Sequence, residues 1–185
     1  MSSDDHRNSS IRGFTLTELV ITLSIFGILC SIAVPAFSSW LPEYRLKSAA
    51  RDLYSNMQLA RMMSLKNSGN YRVIFNAGEN GAYSIVSPDG TIERSISFLD
   101  YDKGGGIGFG GGKAMINATT SGGELPDDGV SYQYNKMSFT PRGLGSGMGY
   151  AYIENNKGTA YAVGTAGITG IIVMKKWNDS TGEWE

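Results

Sequence analysis

The hydrophobic and polar positions divide the chain into three stretches with different periodicities. From Phe14 to Phe37 the chain is apolar, and at about 24 residues this run is long enough for a helix to cross a bilayer core of about 30 Å. Glu18 is the only formal charge in the run. The pattern therefore predicts one membrane-spanning helix at residues 14–37, preceded by a short polar segment at residues 1–13.

Beyond Pro35 the spacing stays helical but becomes amphipathic. Apolar residues recur every three or four positions, with charged residues between them: Leu46, Ala49, Ala50, Leu53, Met57, Ala60 and Met63. The Asn67-Ser68-Gly69-Asn70 cluster predicts the helix end. Residues 38–68 therefore form the second half of one long helix, whose apolar stripe packs on a following sheet. A short coiled coil is the alternative use of the stripe.

The membrane half of this helix contains two residues that weaken helices, Gly27 and Pro35. Proline removes a backbone hydrogen bond and its ring clashes with the preceding turn, which predicts a kink near Pro35.

After residue 70 the period changes to that of short strands separated by glycine-rich turns. The predicted strands are residues 71–76, 82–87, 91–98, 113–119, 130–134, 136–140, 150–155, 159–164 and 168–177. The glycine-rich stretches 104–112 and 143–149 predict flexible connections, and 178–185 predicts a frayed polar tail. The fold class is α+β: a long N-terminal helix packed on an antiparallel sheet, with the β-rich domain at residues 69–177.

Glu18 requires an explanation, because a carboxylate inside a membrane helix costs roughly 2.5–3.5 kcal/mol. Arg7 and Arg12 in the preceding segment favour a cytoplasmic N-terminus. Cleavage between Gly13 and Phe14 would create an amine four residues before Glu18, and helix positions i and i+4 share a face. The carboxylate could then pair with the amine of its own subunit or of a neighbour.

The residues Gly13-Phe14-Thr15-Leu16-Thr17-Glu18-Leu19-Val20 resemble the class III signal of type IV pilins and type II secretion pseudopilins. The resemblance implies the pilin fold, cleavage of a 1–13 leader after Gly13 by a prepilin peptidase and N-methylation of Phe14. It also implies that Glu18 pairs with a neighbouring subunit's amine during assembly. Two alternatives are an ordinary signal-anchor helix and a secretory signal cut after Val34-Pro35-Ala36, for which the apolar run exceeds the usual length.

The later half resembles the GspH/FimT type of pseudopilin and minor pilin. The similar stretches are Met137-Ser138-Phe139-Thr140-Pro141-Arg142-Gly143, Tyr150-Ala151-Tyr152-Ile153, Tyr161-Ala162-Val163 and Lys175-Lys176-Trp177. The resemblance implies a structural subunit at or near a filament tip that helps to initiate assembly. Its partners would be other pilin subunits, the prepilin peptidase and methyltransferase, membrane lipid and an inner-membrane assembly platform.

The resemblance also implies a location. The chain would cross the bacterial inner membrane once, with a cytoplasmic N-terminus and a periplasmic globular domain, before incorporation into a filament. A secretion pseudopilus and a type IV pilus remain alternatives.

A DNA-uptake or adhesive module displayed on a type IV pilus is the alternative function. Some FimT-like proteins carry a glycine–arginine–x–arginine motif for DNA in the last strand. The corresponding residues here are Gly170-Ile171-Ile172-Val173, which leaves only Lys175 and Lys176 as nearby cations. With a formal net charge of −1, the chain gives no general reason to expect nucleic-acid binding.

The composition argues against catalysis and against a metal or cofactor. His6 is the only histidine and lies in the predicted leader, while Cys30 is the only cysteine and lies in the apolar run. A Ser/His/Asp or Cys/His arrangement, an intramolecular disulfide and a histidine- or cysteine-based metal site are therefore not expected. The segment from Asp100 resembles the start of a calcium loop, but Gly111 stands where the loop needs a glutamate.

Overall fold

The computed structural model describes residues 13–78, 81–119 and 122–185, with Ala36 described by its backbone alone. In these residues one long helix, α1 (Leu16–Lys66), precedes short strands in antiparallel sheets, which is the predicted α+β architecture. By internal contacts the chain divides into two units, one ending at Trp40 and one beginning at Leu41. The boundary falls within α1. Most of the predicted leader, with Arg7, Arg12 and His6, lies outside the described residues.

The first unit is an apolar helical segment whose large side chains are exposed. They are Leu16, Leu19, Val20, Ile21, Leu23, Ile25, Phe26, Ile28, Leu29, Ile32, Val34 and Phe37. Among the described residues, one helix is long and apolar enough to cross a membrane, judged by length and composition.

Three hydroxyl groups in this segment donate hydrogen bonds to backbone carbonyls of the same helix. Thr22 donates to Glu18 at 2.6 Å, Ser24 to Val20 at 2.8 Å and Ser31 to Ile28 at 2.7 Å. An unpaired hydroxyl in hydrocarbon is costly, so these bonds make the segment compatible with lipid.

Gly27 and Pro35 do not end the helix, because α1 continues through both residues. Pro35 has no N–H to donate to the preceding turn. Its own carbonyl accepts a hydrogen bond from Ser38 Oγ at 3.0 Å. The kink at these residues stays a prediction.

The second unit packs the rest of α1 against two antiparallel sheets. The strands are β1 (Tyr71–Asn76), β2 (Ala82–Val86), β3 (Ile92–Ser97), β4 (Ile107–Phe109), β5 (Lys136–Phe139), β6 (Gly149–Asn155), β7 (Ala160–Thr165), β8 (Ile172–Asn178) and β9 (Glu183–Trp184). The first sheet has the order β3-β2-β1-β5, and the second has the order β4-β6-β7-β8-β9. In the first sheet Tyr71 lies opposite Phe139, and in the second Tyr161 lies opposite Lys176.

The predicted stripe of α1 forms one wall of the main core. Its six most buried members are fully inaccessible to solvent: Leu46, Ala49, Ala50, Leu53, Met57 and Ala60. They belong to one cluster with inward-facing residues of both sheets, among them Val73 and Ile153. Each fully buried leucine or methionine contributes about 1.5–3 kcal/mol, so this stripe is a principal source of the unit's stability.

Two of the predicted strands are absent. Residues 113–119 form turns, because Asn117 accepts hydrogen bonds from the N–H and hydroxyl of Thr119 and so closes a local loop. Residues 130–134 contain one isolated bridge, between Val130 and Ala151, and then a 3-10 turn in which Tyr134 has a φ of 56°.

Three further expectations were wrong in detail. The stretch 104–112 is not simply a flexible connection, because β4 lies within it and pairs with β6. The predicted strand 168–177 begins later, at Ile172, since residues before it form a turn in which Gly170 has a φ of 70°. The predicted frayed tail contains β9, which pairs with the end of β8.

The helix ends where the polar cluster predicted, but Ser68 and not Gly69 takes the left-handed conformation, with a φ of 49°. The Gly69 N–H donates to the carbonyl of Ser64 at 3.2 Å, as in a Schellman C-cap. Glycine is required at position 69 for a different reason: the Cβ of any other residue would lie only 2.5 Å from Cγ of Pro88.

Candidate functional site

The candidate site is the start of α1, where Thr15 and Glu18 cap the helix reciprocally. The N–H and hydroxyl of Thr15 both donate to Oε2 of Glu18, at 2.9 and 2.8 Å. The N–H of Glu18 donates to Oγ1 of Thr15 at 3.2 Å. This is a capping box, in which each side chain satisfies a backbone N–H that the helix itself leaves unpaired. The carboxylate also lies at the positive end of the helix dipole.

The capping box gives Glu18 a local role that the sequence interpretation missed. The Thr-x-x-Glu spacing was the signal that could have revealed it. The box engages one carboxylate oxygen, while Oε1 of Glu18 receives no hydrogen bond from any residue that the structure describes. That oxygen is exposed and available to a donor from outside the chain.

Gly13 and Phe14 lie outside the helix, immediately before the capping box. Both have irregular backbone, and the Phe14 side chain is 92% exposed. In this chain, which still carries residues 1–13, Phe14 and Glu18 are therefore not related as i and i+4 on one helix face. A Cβ added at Gly13 would meet no described atom within 4 Å, so no close contact of the described fold requires glycine there.

The two lysines near residues 170–173, where the DNA motif of the alternative function is missing, are both engaged within the chain. Lys176 Nζ lies 2.7 Å from Oε1 of Glu43, and this contact raises the pKa of Lys176. Lys175 Nζ donates to the carbonyl of Ala118 at 3.3 Å and lies 5.9 Å from the centre of the Tyr150 ring. These contacts leave a weak footprint for a phosphate backbone.

The carboxylates of the faint calcium-loop match serve structural contacts. Oδ1 of Asp102 lies 3.1 Å from Arg45 Nη1 and accepts the N–H of Gly104 at 3.1 Å. Asp100 accepts the N–H of Ser97 at 3.3 Å, in a second capping box. No group of three or more acidic, histidine or cysteine side chains suited to a metal occurs among the described residues.

The fold and the site together define an α+β protein with an apolar N-terminal helix that opens on a prepilin-like motif. Residues 8–34 match the family model of the prokaryotic N-terminal methylation motif. The chain is also similar to the prepilin peptidase-dependent protein D of Escherichia coli (strain K12), with 28% identity over 93 residues. That match covers 50% of this chain and 59% of the relative. No solved structure matches the chain significantly.

The two matches support a type IV pilin-like family. The family model covers the N-terminal segment, and the match to the relative spans somewhat more than half of that protein's length.

Proposed function

We propose that this chain is a minor pilin or pseudopilin, a structural subunit of a type IV pilus or a type II secretion pseudopilus. The observation that carries the proposal is the arrangement at the start of α1. An exposed Gly13-Phe14 bond lies directly before a helix whose only charged residue in the apolar run, Glu18, is held at the first turn. The motif match covers the same residues.

The backbone around Gly13 suits proteolytic processing. Residues 13–15 are neither helix nor strand, so a peptidase could bind this stretch in an extended form without first unfolding a helix turn. Because the described fold does not require glycine at position 13, we attribute Gly13 to recognition by a prepilin peptidase. Cleavage after Gly13 would expose the amine of Phe14 for N-methylation.

Glu18 would then act in assembly. Its capping contacts use Oε2, and Oε1 is available to the amine of a neighbouring subunit. In an apolar surrounding, burial of two opposite charges together avoids the larger cost of leaving either charge unpaired. The exposed apolar face of the segment would pack in the filament core, and the second unit would lie on the filament surface.

The position in the filament and the orientation belong to the same proposal. We place the subunit at or near the tip, where it helps to start assembly, and in the inner membrane before that, with its globular unit in the periplasm. Other subunits, the assembly platform and the prepilin peptidase are the proposed partners. In this proposal the chain acts through its contacts with other subunits.

Co-expression with an active prepilin peptidase tests the first step. The expected product begins at N-methylated Phe14, as read by mass spectrometry of the N-terminal peptide. Gly13→Val should block cleavage by placing a branched side chain beside the scissile bond. Gly27→Val is the matched control, since a Cβ at Gly27 also meets nothing within 4 Å, and its cleavage should be unchanged. A chain that keeps residues 1–13 while a known prepilin is processed, or one that begins near Phe37, would refute the proposal.

A further inference from the structure

The second sheet has an edge that its own strands cover only in part. β9 pairs with Trp177 and Asn178 at the end of β8, and Lys176 exchanges both backbone hydrogen bonds with Glu185, at 2.7 and 2.9 Å. Nothing among the described residues pairs with this side of β8 before Lys176. The first part of β8 is therefore an open strand edge.

The backbone groups on that edge follow from antiparallel geometry. Because the N–H and C=O of Lys176 face β9, those of Met174 and Ile172 face the same way, since the direction alternates along a strand. The residues between them, Val173 and Lys175, direct their backbone groups toward β7. The hydrogen bond from the Ala166 N–H to the Ile171 carbonyl at 3.3 Å agrees with this alternation. Met174, which is partly exposed, thus presents an unused donor and acceptor to an additional strand, whereas Ile172 is buried at 4% exposure.

The open edge borders a groove with α1 as the opposite wall. The groove has a volume of about 330 Å³ and is lined by Arg51 and Tyr54 from the helix and by Ile172, Val173 and Met174 from β8. Its lining is mostly apolar apart from the guanidinium group. Such a groove beside an open strand edge has the features of sites that bind a peptide by strand addition.

The charge around the groove is positive. Lys47 and Arg51 are both exposed one helix turn apart, and neither forms an ion pair with a described residue. Of the acidic residues nearby, Glu43 is paired with Lys176 at 2.7 Å, and Asp52 keeps its charge but accepts a hydrogen bond from the Tyr101 hydroxyl at 2.8 Å. An acidic partner would complement this surface.

We infer that the open edge of β8 binds an extended acidic segment of a partner protein, which joins the second sheet as a strand in line with β9. The backbone of Met174 would supply the hydrogen bonds next to the Lys176–Glu185 pair. Side chains of an added strand alternate between the two sheet faces, and those on the helix side would meet Arg51. This surface lies outside the N-terminal motif, and its role does not depend on cleavage of the leader.

The test uses the full chain in detergent micelles and an acetylated octapeptide of alternating valine and glutamate. Fluorescence anisotropy should show binding at least about tenfold tighter than that of the valine–lysine octapeptide, and weaker binding at high salt. Hydrogen exchange should show new protection of the Met174 amide when the acidic peptide is bound. Equal affinity for the two peptides, no binding, or no protection at Met174 would overturn the inference.

Two variants separate the backbone and charge contributions. Met174→Pro removes an outward N–H but none of the β7–β8 hydrogen bonds, and should weaken binding at least about tenfold. Arg51→Glu changes an exposed helix position, leaves the strand edge intact and should weaken binding to a similar extent. Lys103→Glu, in an exposed loop, is the control and should not change binding.

Unchanged binding by Arg51→Glu would contradict the inference that the partner segment is acidic. Self-association of the free chain that Met174→Pro abolishes would show a second copy at the edge instead.

Discussion

Tyr132 joins the two sheets of the second unit through its hydroxyl group. The N–H of Thr165 in β7 donates to this hydroxyl at 2.8 Å, and the Thr165 hydroxyl lies 3.0 Å from it. The Tyr132 ring stacks on Phe75 of β1 with ring centres 5.6 Å apart. One side chain therefore contributes both an aromatic contact to the first sheet and a hydrogen-bond acceptor for a buried N–H in the second.

We expect Tyr132→Phe to destabilise the chain by about 1–3 kcal/mol, because it removes the buried hydroxyl that bonds to the N–H and hydroxyl of Thr165. Urea unfolding of the full chain in micelles, followed by tyrosine fluorescence, measures the change. Tyr134→Phe is the matched control, since Tyr134 is 84% exposed and its hydroxyl should contribute almost nothing. Equal stability of the two variants would contradict the bridging role.

The buried hydroxyl of Tyr83 should make the folded chain less stable at alkaline pH. Its hydroxyl accepts a hydrogen bond from Asn56 at 2.9 Å, and burial raises the pKa of Tyr83 to about 12. The folded state holds this proton more tightly than the unfolded state, so the contribution of Tyr83 to the free energy of unfolding is complete below about pH 10. It should decrease by on the order of 2 kcal/mol as the pH rises from about 10 to about 12.

The variant Tyr83→Phe should reduce this decrease, to which other tyrosines with raised pKa values also contribute, among them Tyr132. It should lower stability at neutral pH by about 1–2 kcal/mol, because the Asn56 amide then lacks its acceptor. Urea unfolding at several pH values measures both effects, and Tyr134→Phe should show neither. A Tyr83→Phe chain with the same alkaline decrease as the wild type would assign that decrease to other groups.

Single residues also show where sequence reasoning ended. Glu18 was identified from its isolation in the apolar run, but its bonds to Thr15 were missed although their spacing is visible in the sequence. Ser68 was less accessible to prediction. Glycine ordinarily takes the left-handed C-cap position, whereas here Ser68 takes it and Gly69 is required by its close approach to Pro88, a tertiary contact that the sequence does not reveal.

At the scale of elements, periodicity identified the amphipathic half of α1 and several strands because those elements bury one face. The strands β1, β2 and β5 follow the predicted alternation, whereas β6 and β7 are buried at nearly every position. The two edge strands of the second sheet, β4 and β9, were missed because they depend on tertiary partners. β4 is three residues long within a glycine-rich stretch, and its position is fixed by pairing with β6.

Residues 130–134 show a different reason for error. Their apolar alternation does bury Val130 and Tyr132, but the pairing with β6 is only partial. The N–H of Tyr150 donates to the side-chain oxygen of Ser131 at 2.8 Å, so a hydroxyl replaces one backbone acceptor. Periodicity predicts which side chains are buried and does not determine which atoms complete the hydrogen bonds.

The C-terminal hairpin is an element that one tryptophan stabilises. Trp184 Nε1 donates to the carbonyl of Ile116 at 2.8 Å, and its ring centre lies 5.4 Å from those of Trp177 and Tyr152. We expect Trp184→Ala to lower stability by about 1–3 kcal/mol, less than for a fully buried tryptophan, and to increase exchange of the Lys176 amide. Trp184→Phe should retain most of the ring packing. An unchanged exchange rate in Trp184→Ala would show that β9 is held by its backbone alone.

At the scale of the whole molecule, the N-terminal residues and the globular unit are subject to different constraints. The globular unit has its own core, whereas the apolar segment exposes its large side chains and requires lipid or protein around it. Glu18 is the charged group within that segment, so the proposed filament depends on two properties of one residue, its capping bonds and its charge.

The variant Glu18→Gln separates those two properties. The amide oxygen can still accept from Thr15, so amide exchange in the first turn of α1 should be unchanged in micelles. Without the charge, incorporation into filaments should be lost, as measured by the amount of subunit in sheared filaments of a host that supplies the remaining components. Glu18→Ala should disturb both properties while leaving membrane insertion intact. Normal incorporation of Glu18→Gln would refute charge pairing and leave capping as the role of Glu18.

The hydroxyls of Thr22, Ser24 and Ser31 bond to carbonyls of their own helix, and this has a consequence for the proposed transfer of the segment from lipid into a filament. Because none of the three depends on a group outside α1, the helix can exchange acyl chains for the side chains of another polypeptide without breaking these bonds. The free energy of that exchange is then governed by shape and by the single carboxylate, and a helix of this kind can enter or leave an assembly reversibly.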